Sequence, residues 1–260
     1  MAVTSHDLVA EYVGSLANAG TAQGTNAPYI STWDNLCGTY DGALSGFTPD
    51  ASSGWAGAGS AGDPYRLVFA GTDDVVTPSL WGVSSDLIFT YEAWVNIGAV
   101  TATQVIVAEG STAAGGAYTS LRLVTGASYV YASLALYDSL GGSSLRQSSG
   151  TTVASGIHHF VGTCDATNSA IYMDGSIIGT DAAHSMSAAN FATIDSANLG
   201  ARQKAGLSVY LTAGLCTARI YNAKLTGAEV SANYAAGVLA YASSGGAPAT
   251  WSGIRVTRHI

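Results

Sequence analysis

The sequence predicts an all-β fold, an antiparallel sandwich of two sheets with one short helix near the C-terminal end. Short segments rich in β-branched and aromatic residues recur between clusters of Gly, Ser, Asn and Asp, which is typical of sandwiches and barrels. The 260 residues suit one large all-β domain. Segments with helical periodicity are rare, so we do not expect a layer of helices packed on the sheets.

Nine segments have the length and composition of strands. Alternation is clearest in residues 88–97, where Phe89, Tyr91 and Val95 share one face while Glu92 lies on the other. Glu92 is the only acid of this segment, and the sequence shows no partner for it. The predicted strands are 65–69, 88–97, 104–108, 119–124, 129–137, 157–164, 170–173, 176–179 and 215–221.

Two turns and one helix have specific local signals. Asp174-Gly175 between two apolar segments predicts a two-residue type I′ hairpin, and residues 165–169 predict the turn before it. Thr226 and Glu229 form a capping box ahead of an apolar helical pattern. Gly237 is expected to end this helix as a C-terminal cap.

We expect a sandwich domain over residues 1–241. Within it, residues 14–63 are rich in small residues and are interpreted as a long loop insertion held by aromatic side chains. Residues 242–250 predict a linker, and residues 251–260 predict a C-terminal tail or arm.

Charge and hydropathy exclude several classes of protein. A net charge of −8 with nine basic residues argues against nucleic-acid binding, which needs clustered Lys and Arg. No apolar segment approaches the roughly 20 residues of a membrane span, and the N-terminus lacks the features of a secretory signal. Cys37, Cys164 and Cys216 fit no zinc pattern and are expected to be buried free thiols.

Several motifs occur in order along the chain. They are Asp7–Tyr12 (DLVAEY), Leu67–Val76 (LVFAGTDDVV), Phe89–Val95 (FTYEAWV), His158–Thr163 (HHFVGT) with Tyr172–Gly175 (YMDG), and Arg219–Thr226 (RIYNAKLT) with Glu229. Together they resemble the laminin G-like branch of the concanavalin A-like lectin/glucanase superfamily. This resemblance implies a jelly-roll sandwich and covers residues 7–237.

The chain departs from the family at positions where the resemblance implies carboxylates. Ala70 and the segment Leu215–Ala218 replace acids that often help to hold Ca²⁺. Asp73 and Asp74 remain at the matching turn, and the interpretation we favour is that they bond the backbone of that turn. A Ca²⁺ site formed by these two residues is the alternative, and no other cofactor is expected.

The sequence shows no catalytic motif, so we expect no enzyme. No Asp or Glu pair at i, i+2 occurs, although a glycosidase needs two carboxylates close together. His158 and His159 are adjacent on a strand and therefore point to opposite faces, so packing and hydrogen bonding explain them better than one metal.

Trp33, Trp55 and Trp81 lie in loop-like segments. They are candidates for stacking on sugar rings, and the alternative is that they cover the ends of the sandwich. Trp94 is expected in the core, as the resemblance implies.

Two functions fit this sequence. The first is a phage virion structural protein, a capsid decoration or fibre component that forms homo-oligomers on the virion surface, made in the host cytoplasm. A surface poor in charge favours close packing, and the tail residues Trp251, Arg255, Arg258 and His259 are its candidate docking arm. The second is an extracellular carbohydrate-binding module or adhesin for cell-surface glycans.

Overall fold

The computed structural model describes residues 7–14, 31–48, 53–125, 130–140, 143–147, 152–181 and 186–241. Most of these residues lie in two large antiparallel sheets that pack face to face, with a single α-helix on the outside of one sheet. The predicted two-sheet jelly roll with one C-terminal helix is confirmed. No helix in the described ranges is both long and apolar enough to cross a lipid bilayer.

The first sheet contains eight strands, in the order β14-β13-β12-β7-β18-β5-β4, and β1 also pairs with β18. These strands are β1 (Leu8–Val13), β4 (Gly54–Ala56), β5 (Arg66–Ala70), β7 (Phe89–Ile97), β12 (Gly156–Cys164), β13 (Ser169–Met173), β14 (Ser176–Asp181) and β18 (Thr212–Tyr221).

The second sheet also contains eight strands, in the order β11-β10-β9-β8-β15-β6-β3-β2. They are β2 (Thr32–Trp33), β3 (Gly42–Ser45), β6 (Val75–Thr77), β8 (Gln104–Gly110), β9 (Tyr118–Thr125), β10 (Val130–Tyr137), β11 (Ser143–Gln147) and β15 (Ser196–Leu199). A separate hairpin of β16 (Arg202–Gln203) and β17 (Leu207–Ser208) follows β15.

The main core lies between the two sheets, and alternation along each strand decides which side chains enter it. On β7, Phe89, Tyr91 and Val95 are buried in this core, as the sequence predicts. On β9, Leu121 and Leu123 point inward. Arg122, which lies between them, therefore points outward, away from the core.

The local signals for turns are confirmed. Asp174 and Gly175 have φ angles of 50° and 76°, as a type I′ turn requires, and the flanking Met173 and Ser176 pair directly. The backbone amide of Asp165 donates to the carbonyl of Asn168 at 2.8 Å, which closes the preceding turn.

The helix α1 (Gly227–Tyr241) begins at the predicted capping box. The amide of Thr226 donates to Glu229 Oε2 at 2.8 Å, and the amide of Glu229 donates to Thr226 Oγ1 at 3.3 Å. The C-terminal cap predicted at Gly237 is wrong, because the helix continues to Tyr241. A Cβ on Gly237 would lie 2.2 Å from Cζ2 of Trp94, so this glycine lets the helix approach the sheet.

The interpretation of residues 14–63 as a loop insertion is wrong for its described part. This region contributes β2 and β3 to the second sheet and β4 to the first. Each of these strands has only two to four residues. Strands this short contain too few residues for an alternation of apolar and polar side chains to be recognised among the many small residues around them.

Candidate functional site

The sandwich has two outer faces, and both carry polar side chains. We call the outer face of the first sheet the helix face, because α1 packs on it. Its polar residues are Glu11, Glu92, His159, Arg219 and Tyr221. We call the outer face of the second sheet the arginine face. Its residues are Tyr118, Ser120, Arg122, Ser133, Tyr137 and Asn198.

The helix face is organised around Arg219 on β18. Cross-strand pairing places Glu11 of β1 on one side of it and Glu92 of β7 on the other. Arg219 Nε donates to Glu11 Oε1 at 2.7 Å, and Nη1 donates to Glu92 Oε1 at 2.8 Å. The guanidinium is 2% exposed, so these two carboxylates supply its charge compensation.

Glu92 receives three further hydrogen bonds from three different elements. Tyr221 Oη donates at 2.8 Å, Asn233 Nδ2 of α1 at 2.9 Å and His159 Nε2 at 3.1 Å. Burial by itself would raise the pKa of this carboxyl, but Arg219, His159 and Tyr221 together hold it well below its usual range. Glu92 is an ionised, completely buried residue that ties four elements together.

The two adjacent histidines serve separate contacts. His159 bonds Glu92 and stacks on Trp94 at 4.8 Å between ring centroids. Trp94 is buried on the helix face and does not lie between the sheets. On the helix face it also stacks on Tyr234 of α1. His158 Nδ1 lies 2.8 Å from Asp174 Oδ2. The opposite orientations predicted for the histidine pair are confirmed.

The three tryptophans proposed as sugar platforms pack into the sandwich. Trp33 has no exposed surface and donates to the carbonyl of Val13 at 3.1 Å. Trp81 is 5% exposed and donates to Tyr12 Oη at 3.3 Å. Trp55 is half-buried and meets Trp33 edge-on at 5.1 Å. The burial of Trp33 and Trp81 favours packing over stacking on a sugar ring, and sugar binding by Trp55 stays a prediction.

The geometry at Asp73 and Asp74 favours the turn interpretation. Asp74 is 1% exposed and accepts from the Ala70 amide at 2.6 Å and from Ser53 Oγ at 2.9 Å. Asp73 is exposed and accepts from Thr72 Oγ1 at 2.7 Å. Within the described ranges no three His, Cys, Asp or Glu side chains gather as a metal site would require. Ca²⁺ binding stays a prediction.

All three cysteines are free thiols. Cys164 and Cys216 are buried as expected, whereas Cys37 is only half-buried. Burial raises the pKa of Cys37 to about 11, so its thiol is protonated and poorly reactive at neutral pH.

The predicted docking residues Trp251, Arg255, Arg258 and His259 lie outside the described residues, as does the linker 242–250. Their role in an assembly stays a prediction.

The arginine face has a shielded polar floor. Arg122 of β9 lies opposite Val105 and Ser133, and in the next row Ser120 lies opposite Ala108 and Ala135. Five buried atoms here have no hydrogen-bond partner among the described residues. They are Ser120 Oγ, Arg122 Nε, Ser133 Oγ, Asn198 Nδ2 and Arg202 Nε. Buried polar atoms are usually satisfied, so this group of unpartnered atoms makes the arginine face the candidate site.

Two tyrosines and a hairpin lie at one end of the arginine face. Tyr118 and Tyr137 face each other across β9 and β10 and stack at 4.5 Å. The β16–β17 hairpin extends over them, and Arg202 Cζ lies 4.8 Å from the centre of the Tyr118 ring. Lys204 Nζ lies 5.4 Å from the same ring. Tyr118 is 2% exposed, so Tyr137, which is half-buried, supplies the accessible aromatic surface at this end, beside the positive charge of the hairpin.

No residue of the arginine face is among the site residues predicted from the sequence. One signal was present: in the predicted strand 119–124, Ser120 and Arg122 alternate with Leu121 and Leu123. That pattern places Arg122 on an outer face. Its lack of a partner depends on neighbouring strands and cannot be read from the strand alone.

Solved structures with a similar fold include carbohydrate-binding proteins. A Trypanosoma rangeli sialidase matches with a TM-score of 0.60 and 16% identity, over 93% of this chain and 34% of the sialidase. The chain therefore spans about a third of that enzyme's length. Domain 4 of AbnA, a Geobacillus stearothermophilus extracellular arabinanase in complex with arabinotriose, matches with a TM-score of 0.62 and 16% identity, over 88% of this chain and 98% of the domain.

A third similar structure is the CBM40 domain of the Ruminococcus gnavus IT-sialidase bound to α2,3-sialyllactose. Its TM-score is 0.53 at 14% identity, over 64% of this chain and 94% of that domain. At these identities the likenesses establish the fold alone. No curated protein matches the sequence.

The sequence itself matches a family profile. The profile describes the concanavalin A-like lectin/glucanases superfamily and matches residues 69–231, more than half of the chain. The matched range includes β7, the β12–β14 meander, β18 and the start of α1. This chain belongs to the concanavalin A-like lectin/glucanase superfamily.

Proposed function

We propose that this chain is a non-catalytic carbohydrate-binding module whose ligand binds at the arginine face. One observation carries the proposal: five unpartnered buried polar atoms lie on this face beside the stacked pair Tyr118 and Tyr137. Ligand sites combine apolar or aromatic surface with a few convergent polar groups. Hydroxyls, an amide and guanidinium groups are suitable partners for the hydroxyls of a sugar.

The fold neighbours support this proposal by analogy. Domain 4 of AbnA is in complex with arabinotriose, and the CBM40 domain is bound to sialyllactose. Both are separate domains of almost the same extent as the matched part of this chain. A shared fold does not fix a function, so the arginine face and not the likeness locates the site.

The burial of two acids supports a role without catalysis. Glu92 and Glu109 are both completely buried. Glu109 accepts hydrogen bonds from the amides of Gly82 and Ser84 at 2.6 and 2.8 Å. Glu92 accepts the four hydrogen bonds described above for the helix face. A glycosidase needs two carboxylates that reach the substrate, and neither of these does.

An extracellular or cell-surface location, with a glycan as partner, fits this proposal. The virion location, the capsid partners and the homo-oligomer predicted from the surface composition and the tail stay predictions.

A glycan array tests the proposal, with Tyr137→Ala as the informative variant. We expect saturable binding by the wild type and a loss of about 10-fold or more in the variant, because a large side chain buried against a ligand contributes about 1.5–3 kcal/mol. Tyr234→Ala, the same change on the helix face, is the matched control and is expected to bind normally. Absence of binding to any glycan would overturn the proposal.

A further inference from the structure

The six basic side chains that the structure describes fall into two groups. Arg66, Arg219 and Lys224 form ion pairs with carboxylates. Arg122, Arg202 and Lys204 form none within the described residues, and all three lie on or over the arginine face. The uncompensated positive charge of the described part of the chain is therefore concentrated in one place.

Arg122 is the most unusual member of this group. It is 8% exposed, and its neighbours across the strands are Val105 and Ser133, neither of them an acid. A guanidinium removed from water costs several kcal/mol unless it is paired. This chain pairs its other buried guanidinium, Arg219, with two carboxylates. No described residue therefore supplies a carboxylate to Arg122, which leaves its charge open to an anionic ligand.

Arg202 and Lys204 bring further positive charge to the same place. Arg202 Nη1 donates to Tyr118 Oη at 3.2 Å and Nη2 donates to Ser208 Oγ at 3.2 Å. Burial raises the pKa of Tyr118 to about 12, although Arg202 opposes this shift. The phenol is thus neutral at pH 7 and does not supply the missing negative charge.

We propose that the ligand of the arginine face is an acidic sugar, one with a carboxylate on its ring, as in sialic and uronic acids. This inference rests on the proposed function. Arg122 pairs with the carboxylate, because a planar guanidinium binds both oxygens of a carboxylate at once. Arg202 and Lys204 attract the same anion to a chain whose net charge is −8.

Isothermal titration calorimetry with four probes tests this proposal. The acidic probes are α2,3-sialyllactose and trigalacturonate, and the neutral probes are lactose and arabinotriose. We expect one acidic probe to bind at least 10-fold more tightly than both neutral ones, and the preferred probe identifies the source of the carboxylate. Arg122→Gln is expected to weaken that binding about 10- to 100-fold, since a charge-assisted hydrogen bond contributes about 1.5–3 kcal/mol.

Lys224→Gln is the matched control, because it removes one positive charge from a surface ion pair with Asp165. It is expected to change the affinity less than 2-fold. Arg202→Gln, on the more exposed hairpin, provides a second variant in case Arg122→Gln does not fold, and circular dichroism checks the fold of each.

Three outcomes are distinguishable. Preferential binding of an acidic probe that is lost in the arginine variants supports the inference. Equal binding of neutral and acidic probes, or acidic binding unchanged in both arginine variants, overturns the inference and leaves the proposed function standing. If the protein binds none of the four probes and no glycan on an array, the inference and the proposed function are both overturned.

Discussion

Two arginines on opposite sides of the sandwich occupy similar positions but have different surroundings. Arg219 lies on β18 of the first sheet and Arg122 on β9 of the second, and both point away from the core. They are 2% and 8% exposed. Arg219 has two carboxylate partners, whereas Arg122 has none within the described ranges.

This difference separates a face whose charges are paired from the face that we propose binds a ligand. On the helix face, α1 closes over a network in which Glu92 receives hydrogen bonds from Arg219, Tyr221, His159 and Asn233. On the arginine face, the hairpin that lies over the sheet adds two more unpaired cations. The first arrangement stabilises the fold, and under the proposed function the second leaves charge compensation to a ligand.

The largest expected effect is from removal of Arg219. Arg219→Met leaves the buried Glu92 without its cation, and a broken buried ion pair costs about 3–5 kcal/mol. Urea denaturation measures the change in the free energy of unfolding. Lys224→Met is the control, since its surface pair with Asp165 contributes about 0–1 kcal/mol. A loss below about 1 kcal/mol for Arg219→Met would contradict a structural role for this network.

A smaller loss is expected when the contact between α1 and the helix face is disturbed. Gly237→Ala places a methyl group 2.2 Å from the Trp94 ring, and overpacking costs about 1–3 kcal/mol. The helix propensity of alanine alone predicts the opposite sign, a gain of up to about 1 kcal/mol.

Denaturation of Gly237→Ala beside Ser231→Ala, an exposed position on the same helix, separates these two effects. The Ser231 variant is expected to change the free energy of unfolding by less than about 0.5 kcal/mol. A stabilised Gly237→Ala would show that α1 does not pack closely on Trp94.

The pair of His158 and Asp174 predicts a stability that depends on pH. The hydrogen bond that His158 donates to Asp174 raises the pKa of His158. Burial alone would raise the pKa of Asp174, but the bond from His158 outweighs it and lowers that pKa. The contribution of His158 is complete below its unfolded pKa and is lost as pH rises through its folded pKa. The contribution of Asp174 to stability is complete above its unfolded pKa and is lost as pH falls through its folded pKa.

The pair therefore stabilises most between about pH 4 and pH 6.5, the two unfolded values. Asp174→Asn keeps a residue suited to the positive φ of the turn. It should cost about 0.5–1 kcal/mol at pH 5.5 and less at pH 8, measured by denaturation at both pH values. An equal cost at both would show that the turn, and not the charge pair, accounts for the loss.

The features that the sequence predicts well are those set by a few neighbouring residues. The Asp174-Gly175 turn needs only its own φ angles, and the capping box of Thr226 and Glu229 lies within one helical turn. Alternation in β7 follows from the geometry of one strand. These signals, with the family motifs, were sufficient for the fold class and for most strands of the middle of the chain.

The features that the sequence could not supply depend on distant parts of the chain. The partners of Glu92 come from β12, β18 and α1, as many as 141 residues away. The strands β2, β3 and β4 have two to four residues and take their conformation from the sheets they join. Likewise, the lack of a carboxylate partner for Arg122 among the described residues depends on β8 and β10, the strands on either side of β9.

One measurement tests the central claim most directly: the free energy of unfolding of the wild type and of Arg122→Met, with and without the acidic probe that the wild type binds more tightly. We expect the variant without ligand to be as stable as the wild type or about 1 kcal/mol more stable, because an unpaired buried charge has been removed. The ligand should stabilise the wild type and not the variant. A loss of about 3–5 kcal/mol in the unliganded variant, like that of Arg219→Met, would contradict the claim that this face is reserved for a ligand.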